Sequence, residues 1–246
     1  MSIASPLTRL AATFVLALGI AVGGWQIGHG FIAGREQPRV ISVKGVAERE
    51  VKADLALWAL RFVATGNDLA RVQQQVSADE KRVRAFLTAA GLPAATTEVQ
   101  GLEVVDLLAQ AYRSGPVDSR FIITETLLVR TADVHEVAEA SQQLGDLVAA
   151  GVALSGQTGG PIQGPVYLYT RLNDVKPAMI QEATRNARLA AEQFATDAGS
   201  KLGGILRASQ GLFQILPRDA VDGANEQAQA AKIVRVVSTI DYGLVP

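Results

Sequence analysis

The chain opens on an uninterrupted apolar stretch: residues 10–34 contain no Asp, Glu, Lys or Arg. A helix needs about 20 such residues to cross a hydrocarbon layer, and this run meets that length. Arg9 precedes it, Arg35 and Arg39 follow, and Trp25 stands near its outer end, where an indole suits an interface. A cleaved signal peptide is the competing reading, with Ala21-Val22-Gly23 as a small-residue cleavage site. Apolar residues continue past that site at Ile27, Phe31 and Ile32, so a retained anchor is the expectation. The flanking charges are nearly balanced and orient the segment weakly. The short N-terminal stub makes an exported body the simpler topology.

Beyond the anchor the pattern changes. Residues 40–44 alternate and predict a first strand, with the charged run 48–52 as a connection or continuation. Residues 55–64 predict a second strand with Trp58, Leu60 and Phe62 on one face and Leu55, Leu57 and Val63 on the other. Apolar groups on both faces mark an inner strand or an assembly surface. Asn67-Asp68 then opens a helix whose apolar stripe runs through Leu69, Val72, Val76, Val83, Phe86, Leu87 and Ala90, stopped by Gly91 and Pro93. Its other face, with Gln73, Gln74, Asp79, Glu80, Lys81 and Arg82, reads as solvated.

Strands over about 97–106 and 120–131 follow, separated by a loop with Leu108, Tyr112 and the turn Ser114-Gly115-Pro116. Asp133 is placed to cap a second helix that Gly151 closes. The glycine-rich segment 155–165 is a connector, and 166–172 a short strand. Asn173-Asp174 opens a third helix, with Pro177 in its first turn and a stripe of Ile180, Ala183, Ala187, Ala190, Ala191, Phe194 and Ala198. Alanine on that stripe implies close approach to a sheet or another helix. Residues 201–204 end the helix, 205–216 predict a strand, 218–230 a polar loop, and 233–242 a last strand with Val234, Val236, Ile240 and Tyr242 on one face. This order predicts an α+β fold, an antiparallel or mixed sheet with packed helices, preceded by one N-terminal transmembrane helix. Residues 1–36 form the anchor or signal segment and 37–246 the domain.

Composition removes several chemistries. There are no cysteines, which excludes disulfides, thiolate zinc sites and cysteine nucleophiles. A net charge of −1 gives no basic field for nucleic acid. The two histidines are His29, inside the apolar segment, and His135. His135 stands beside Glu136 and four residues before Glu139, so His and Glu share a helix face. A metal site needs further ligands that the sequence does not supply, and a solvated helix start is the expectation. The glycine runs 156–164 and 199–201 lack the strand–loop–helix order of a phosphate cradle. No Gly-x-Ser-x-Gly elbow occurs. Glu48 and Glu50, beside Arg49 and Lys52, read as a solvated edge; Arg185 and Arg188, with Glu182 and Glu192, read as helix-surface ion pairs. No catalytic, cofactor-binding or metal-ligating residue is therefore nominated, and no cofactor is expected.

Two passages resemble the SIMPL-domain family. The first is Val43-Lys44-Gly45-Val46-Ala47-Glu48-Arg49-Glu50-Val51-Lys52-Ala53-Asp54 followed by Trp58. The second is the alanine-rich run Arg185-Asn186-Ala187-Arg188-Leu189-Ala190-Ala191-Glu192 with Gly199 and Leu202-Gly203 behind it. The resemblance spans about residues 40–244 and is to the membrane-anchored subgroup. It implies an exported α+β domain in the periplasm or outer envelope, without an established enzyme activity. Relatives have been linked to oxidative-stress tolerance, and some assemble into large ring-like homo-oligomers. Neither passage is a catalytic motif: Gly45 and Gly203 read as turn and cap positions, and Asp54 as a strand-entry residue capping backbone amides.

The resulting expectation is a non-enzymatic protein of the inner membrane, single-pass, with its body in the periplasm and assembled with copies of itself. The alternative is a periplasmic module that binds a small ligand or a partner protein through the loops 107–118 or 218–230.

Overall fold

The computed structural model describes residues 6–33, 39–109, 118–156, 163–220 and 225–245, and within the first helix the side chains of 14–28. The chain runs α1 (Pro6–Ala33), β1 (Val40–Lys52), β2 (Leu55–Gly66), α2 (Leu69–Ala89), β3 (Thr97–Asp106), β4 (Phe121–Thr131), α3 (Val134–Gln142), α4 (Leu144–Ala149), β5 (Val166–Leu168), α5 (Leu172–Asp197), β6 (Lys201–Gln210), β7 (Gln214–Pro217) and β8 (Ala231–Val245). One sheet has the order β1-β8-β6, with β7 pairing antiparallel to β8. The other has the order β3-β4-β2-β5, and its three pairings are antiparallel. The fold is α+β with antiparallel pairing and several helices, as the element order predicts. Among the described residues no helix is long and apolar enough to cross a membrane.

Two units divide the chain. One takes residues 1–44, 187–209 and 239–246; the other takes 45–186 and 210–238. In the larger unit α2 lies on the second sheet because its apolar residues, recurring every three or four positions, form one stripe that the sheet buries. Val72, Val76, Val83 and Leu87 are buried against Trp58, Leu60 and Phe62 of β2 and Ile123, Leu127 and Val129 of β4. The Asp68 carboxylate accepts from the Arg71 amide at 3.0 Å and caps the helix start. Gly91, at φ +81°, turns the chain out of the helix in a conformation that favours glycine. Met179 and Ala183 of α5 pack with Ala47, Val234 and Val236 in the same unit. In the smaller unit Ala187 and Ala191 pack with Val43, Ile240 and Tyr242.

Several expectations are corrected. The charged run 48–52 continues β1, and Gly45 lies inside that strand, not at a turn. Gly203 lies inside β6, where a Cβ would come within 2.8 Å of the Gly243 carbonyl oxygen. Close backbone approach, and not helix capping, is what demands glycine there. The helix instead ends through Gly199 at φ +64°, with Ser200 N–H donating to the Ala195 carbonyl at 2.8 Å. The strand expected over 205–216 is two strands broken at 211–213. Asp133 makes no side-chain cap and pairs with the Thr131 hydroxyl at 3.1 Å, and its helix is split into α3 and α4.

Helix α5 begins at Leu172, so Pro177 lies inside it and withholds an amide proton from the Asn173 carbonyl. Its buried row is Met179, Ala183, Ala187, Ala191 and Ala195, while Phe194 is exposed. Asp79, expected in water, is buried to 2% exposure, where Arg82 and Gln75 bond its carboxylate.

Candidate functional site

The residues that invited a chemical reading resolve into surface ion pairs. His135 Nε2 lies 3.4 Å from Glu139 Oε1, with both side chains mostly in water. Among the described residues no group of His, Asp or Glu could hold a metal ion. The side chain of His29 lies outside the described residues. Glu48 pairs with Arg235 at 3.2 Å and Glu50 with Arg218 at 3.5 Å. Arg188 bonds Glu192 at 2.9 Å across one helical turn, which matches the helix-surface reading. Asp54 caps as expected: its carboxylate accepts from the Thr170 amide at 2.8 Å and the Thr170 hydroxyl at 3.1 Å.

The two loops nominated for binding are braced at their bases. Arg120 clamps Asp106 at 2.8 Å, and that guanidinium holds the Asp106 carboxyl below the usual carboxylate range. Asn67 reaches the same loop, accepting from the Arg120 amide at 2.9 Å and donating to the Asp118 carbonyl at 3.3 Å. Tyr112 and the turn at 114–116 lie outside the described residues. The segment 218–230 is tied down at both ends. The Gln229 amide donates to the Asp219 carbonyl at 2.9 Å, and the Ala53 amide to the Ala230 carbonyl at 2.7 Å. Lys232, wholly buried on β8, donates to the Glu226 carbonyl at 2.7 Å and pairs with its carboxylate. Parting this pair would strand a buried charge, which holds Glu226 in place.

Open surfaces among the described residues include two of interest. The first belongs to the smaller unit. Strand β6 is the edge of its sheet and is exposed over residues 204–210. Ile205 and Leu206 are 53% and 56% exposed, and successive residues of a strand face opposite ways. Neither face is covered at that point, and an edge strand also presents unpaired amides and carbonyls. The same unit carries α1, whose exposed apolar side chains include Phe14, Leu16, Leu18, Ile20, Trp25 and Ile27.

The second surface belongs to the larger unit, on the face of β2 and β4 turned away from α2. Register places Arg61 opposite Thr126 and Thr126 opposite Gly101. The pairing slips between Val99 and Gly101, leaving Gln100 without a partner in the ladder. A cavity of about 110 Å³ is lined here by Arg61, Gln100, Thr126, Ser155 and Gln163 among others. An adjoining one of about 160 Å³ shares Arg61 and Thr126 and reaches Gly101, Glu103 and Thr124. Arg61 Nη2 bonds Glu103 at 3.0 Å, while its enclosed Nε has no acceptor. Sequence reasoning passed over Arg61, although a lone charge inside the apolar run of β2 was a visible signal.

The opposite face of the same strands holds a second isolated charge. Glu125 stands on the buried row of β4 between Ile123 and Leu127, with α2 packed over that row. Burial pushes its carboxyl pKa up, the nearby Glu80 carboxylate pushes it further, and Arg84 opposes both. Arg84 itself bonds Glu80 at 2.7 Å and the Thr97 carbonyl at 3.3 Å.

The described residues thus form an α+β domain with braced loop bases, surface-paired carboxylates and an exposed edge strand. The model of the SIMPL family, described as a protein of unknown function (DUF541), matches residues 41–240, and the chain belongs to that family. No curated protein matches the chain.

Proposed function

We propose that the protein is a non-enzymatic assembly component of the inner membrane, held by α1 as a single-pass tether, with its body in the periplasm. The observation that carries the assembly reading is β6, an edge strand with a free backbone and bare apolar groups on both faces. A monomer ordinarily blunts such an edge with charge, proline or a covering element; Lys201 and Arg207 charge β6, while the residues between them, 202–206, carry neither charge nor proline. Pairing with a strand edge of a neighbouring copy would satisfy the open amides and cover Ile205 and Leu206. The tether reading draws on the uncharged run 10–34 and the exposed apolar side chains of α1. Copies anchored in one membrane must all face it from one side, which favours a cyclic arrangement, ring-like for larger numbers.

The test is an edge-blocking variant. Ile205→Lys with Leu206→Lys in the full-length protein should lower the assembled mass in detergent, with the circular dichroism spectrum unchanged. An assembly of unaltered mass would remove β6 from the interface. A second reading, an exported module that binds a small ligand, is favoured by the cavities at Arg61.

A further inference from the structure

We propose that the Arg61 cavities form a binding site for a small organic carboxylate with a polar, hydrogen-bonding body. This rests on the second reading above and gives it a place and a ligand class. The backbone that carries the cation is held in place: Arg61 sits mid-strand on β2, and its own carbonyl accepts from the Ser155 amide at 2.8 Å. Among the described residues its guanidinium bonds one acceptor, Glu103, whose side chain is 62% exposed. An ion pair with so wet a partner is worth little and exchanges readily. A planar guanidinium accepts a carboxylate through two parallel bonds, which makes it selective for that group over a simple point charge.

The walls complete the chemistry. Thr124 and Thr126 bring hydroxyls, Gln100 and Gln163 bring amides, and neither cavity is lined by any carboxylate except Glu103. The ligand's body therefore meets neutral donors and acceptors. Room comes from Gly101, where an added Cβ would meet nothing within 4 Å. The ladder slip at Gln100 sets that residue beside the opening. The cavity that Gly101 lines, about 160 Å³, is near the size that accommodates a ring of roughly six heavy atoms. The occupant is accordingly a short carboxylic acid or a single acidic residue of a larger molecule.

The experiment is ligand-observed saturation-transfer NMR on the full-length protein in detergent, with acetate, succinate, glutamate and inorganic phosphate as probes. A carboxylate should bind, and Arg61→Gln should weaken it about tenfold or more, the worth of a hydrogen bond to a charged group. Gly101→Val, which fills the space and leaves Arg61 untouched, should abolish binding. Glu103→Gln should strengthen it about two- to fivefold by removing the competitor. Thermal unfolding of each variant reports folding, and Gly101→Val decides the matter if Arg61→Gln does not fold. Carboxylate binding that survives both substitutions overturns this site and leaves the module reading standing. No binding by any probe at about 10 mM overturns both. Phosphate bound in preference to every carboxylate overturns the ligand class.

Discussion

Removing the ammonium of Lys232 isolates what its contacts with Glu226 contribute to the larger unit. Lys232 is 0% exposed and Glu226 27% exposed, and Lys232 donates to both the carboxylate and the carbonyl of Glu226. In Lys232→Met the stem volume is nearly kept, so packing changes little and the loss is electrostatic. Breaking a buried pair costs about 3–5 kcal/mol when the abandoned charge stays dry. Glu226 can reach water, which places the expected loss at about 2–3 kcal/mol, in line with forfeiting hydrogen bonds to a charged donor. Lys232→Ala also deletes three buried methylenes at about 0.8 kcal/mol each, for a total near 4–5 kcal/mol.

The double variant Lys232→Met, Glu226→Met removes both charges and should recover part of the loss. Urea unfolding of the full-length protein in detergent, followed by circular dichroism, measures all three. Lys232→Met within about 0.5 kcal/mol of the parent would refute the reasoning. So would equal losses for Met and Ala, because they would show that the stem is not packed.

Other consequences follow from particular residues. The folded state raises the carboxyl pKa of Glu125, so it binds more protons than the unfolded chain. The resulting stability is complete below about pH 4.3, the unfolded value, and is lost as pH rises through the folded one. Glu125→Gln should flatten that stretch of the profile and raise stability at pH 7; a parallel, unshifted profile would contradict the assignment. Ala187→Leu should cost about 1–3 kcal/mol by overfilling the space that Val43, Ile240 and Tyr242 leave, measurable by the same denaturation. Asp54→Ala removes two bonds to Thr170 and should cost about 1–2 kcal/mol; a neutral result would make Asp54 structurally idle.

Where one element's own period decides its environment, the sequence reading succeeded. The alternation of β8 through Val234, Val236, Ile240 and Tyr242 is the buried row observed. The stripe of α2 from Val72 to Leu87 lies on the sheet as its spacing requires. Failures occur where a partner decides. Asp79 is buried beneath the exposed side chains of Arg82 and Gln75, which bond its carboxylate, and polarity alone assigns it to water. Phe194 is exposed and Ala195 buried because the row repeats every four residues, a phase that hydrophobicity does not reveal when alanine carries it.

The candidate surfaces were less legible still. Ile205 and Leu206 look like any strand residues until the sheet order makes β6 an edge. The Arg61 cavities arise from the register Arg61–Thr126–Gly101 and a slip at Gln100, and pairing register is a tertiary property. Two isolated charges, Arg61 and Glu125, lie within apolar strands and were passed over in the sequence reading. Such a charge is the sequence feature that repays attention, since burying it requires a partner or a purpose.

Tethered self-assembly is tested most directly by the mass of the intact protein. Light scattering after size exclusion in mild detergent, corrected for the detergent, measures it without a choice of interface. The account predicts a discrete multiple of 25.9 kDa, reduced by the β6 substitutions. A single 25.9 kDa species at micromolar concentration would contradict it.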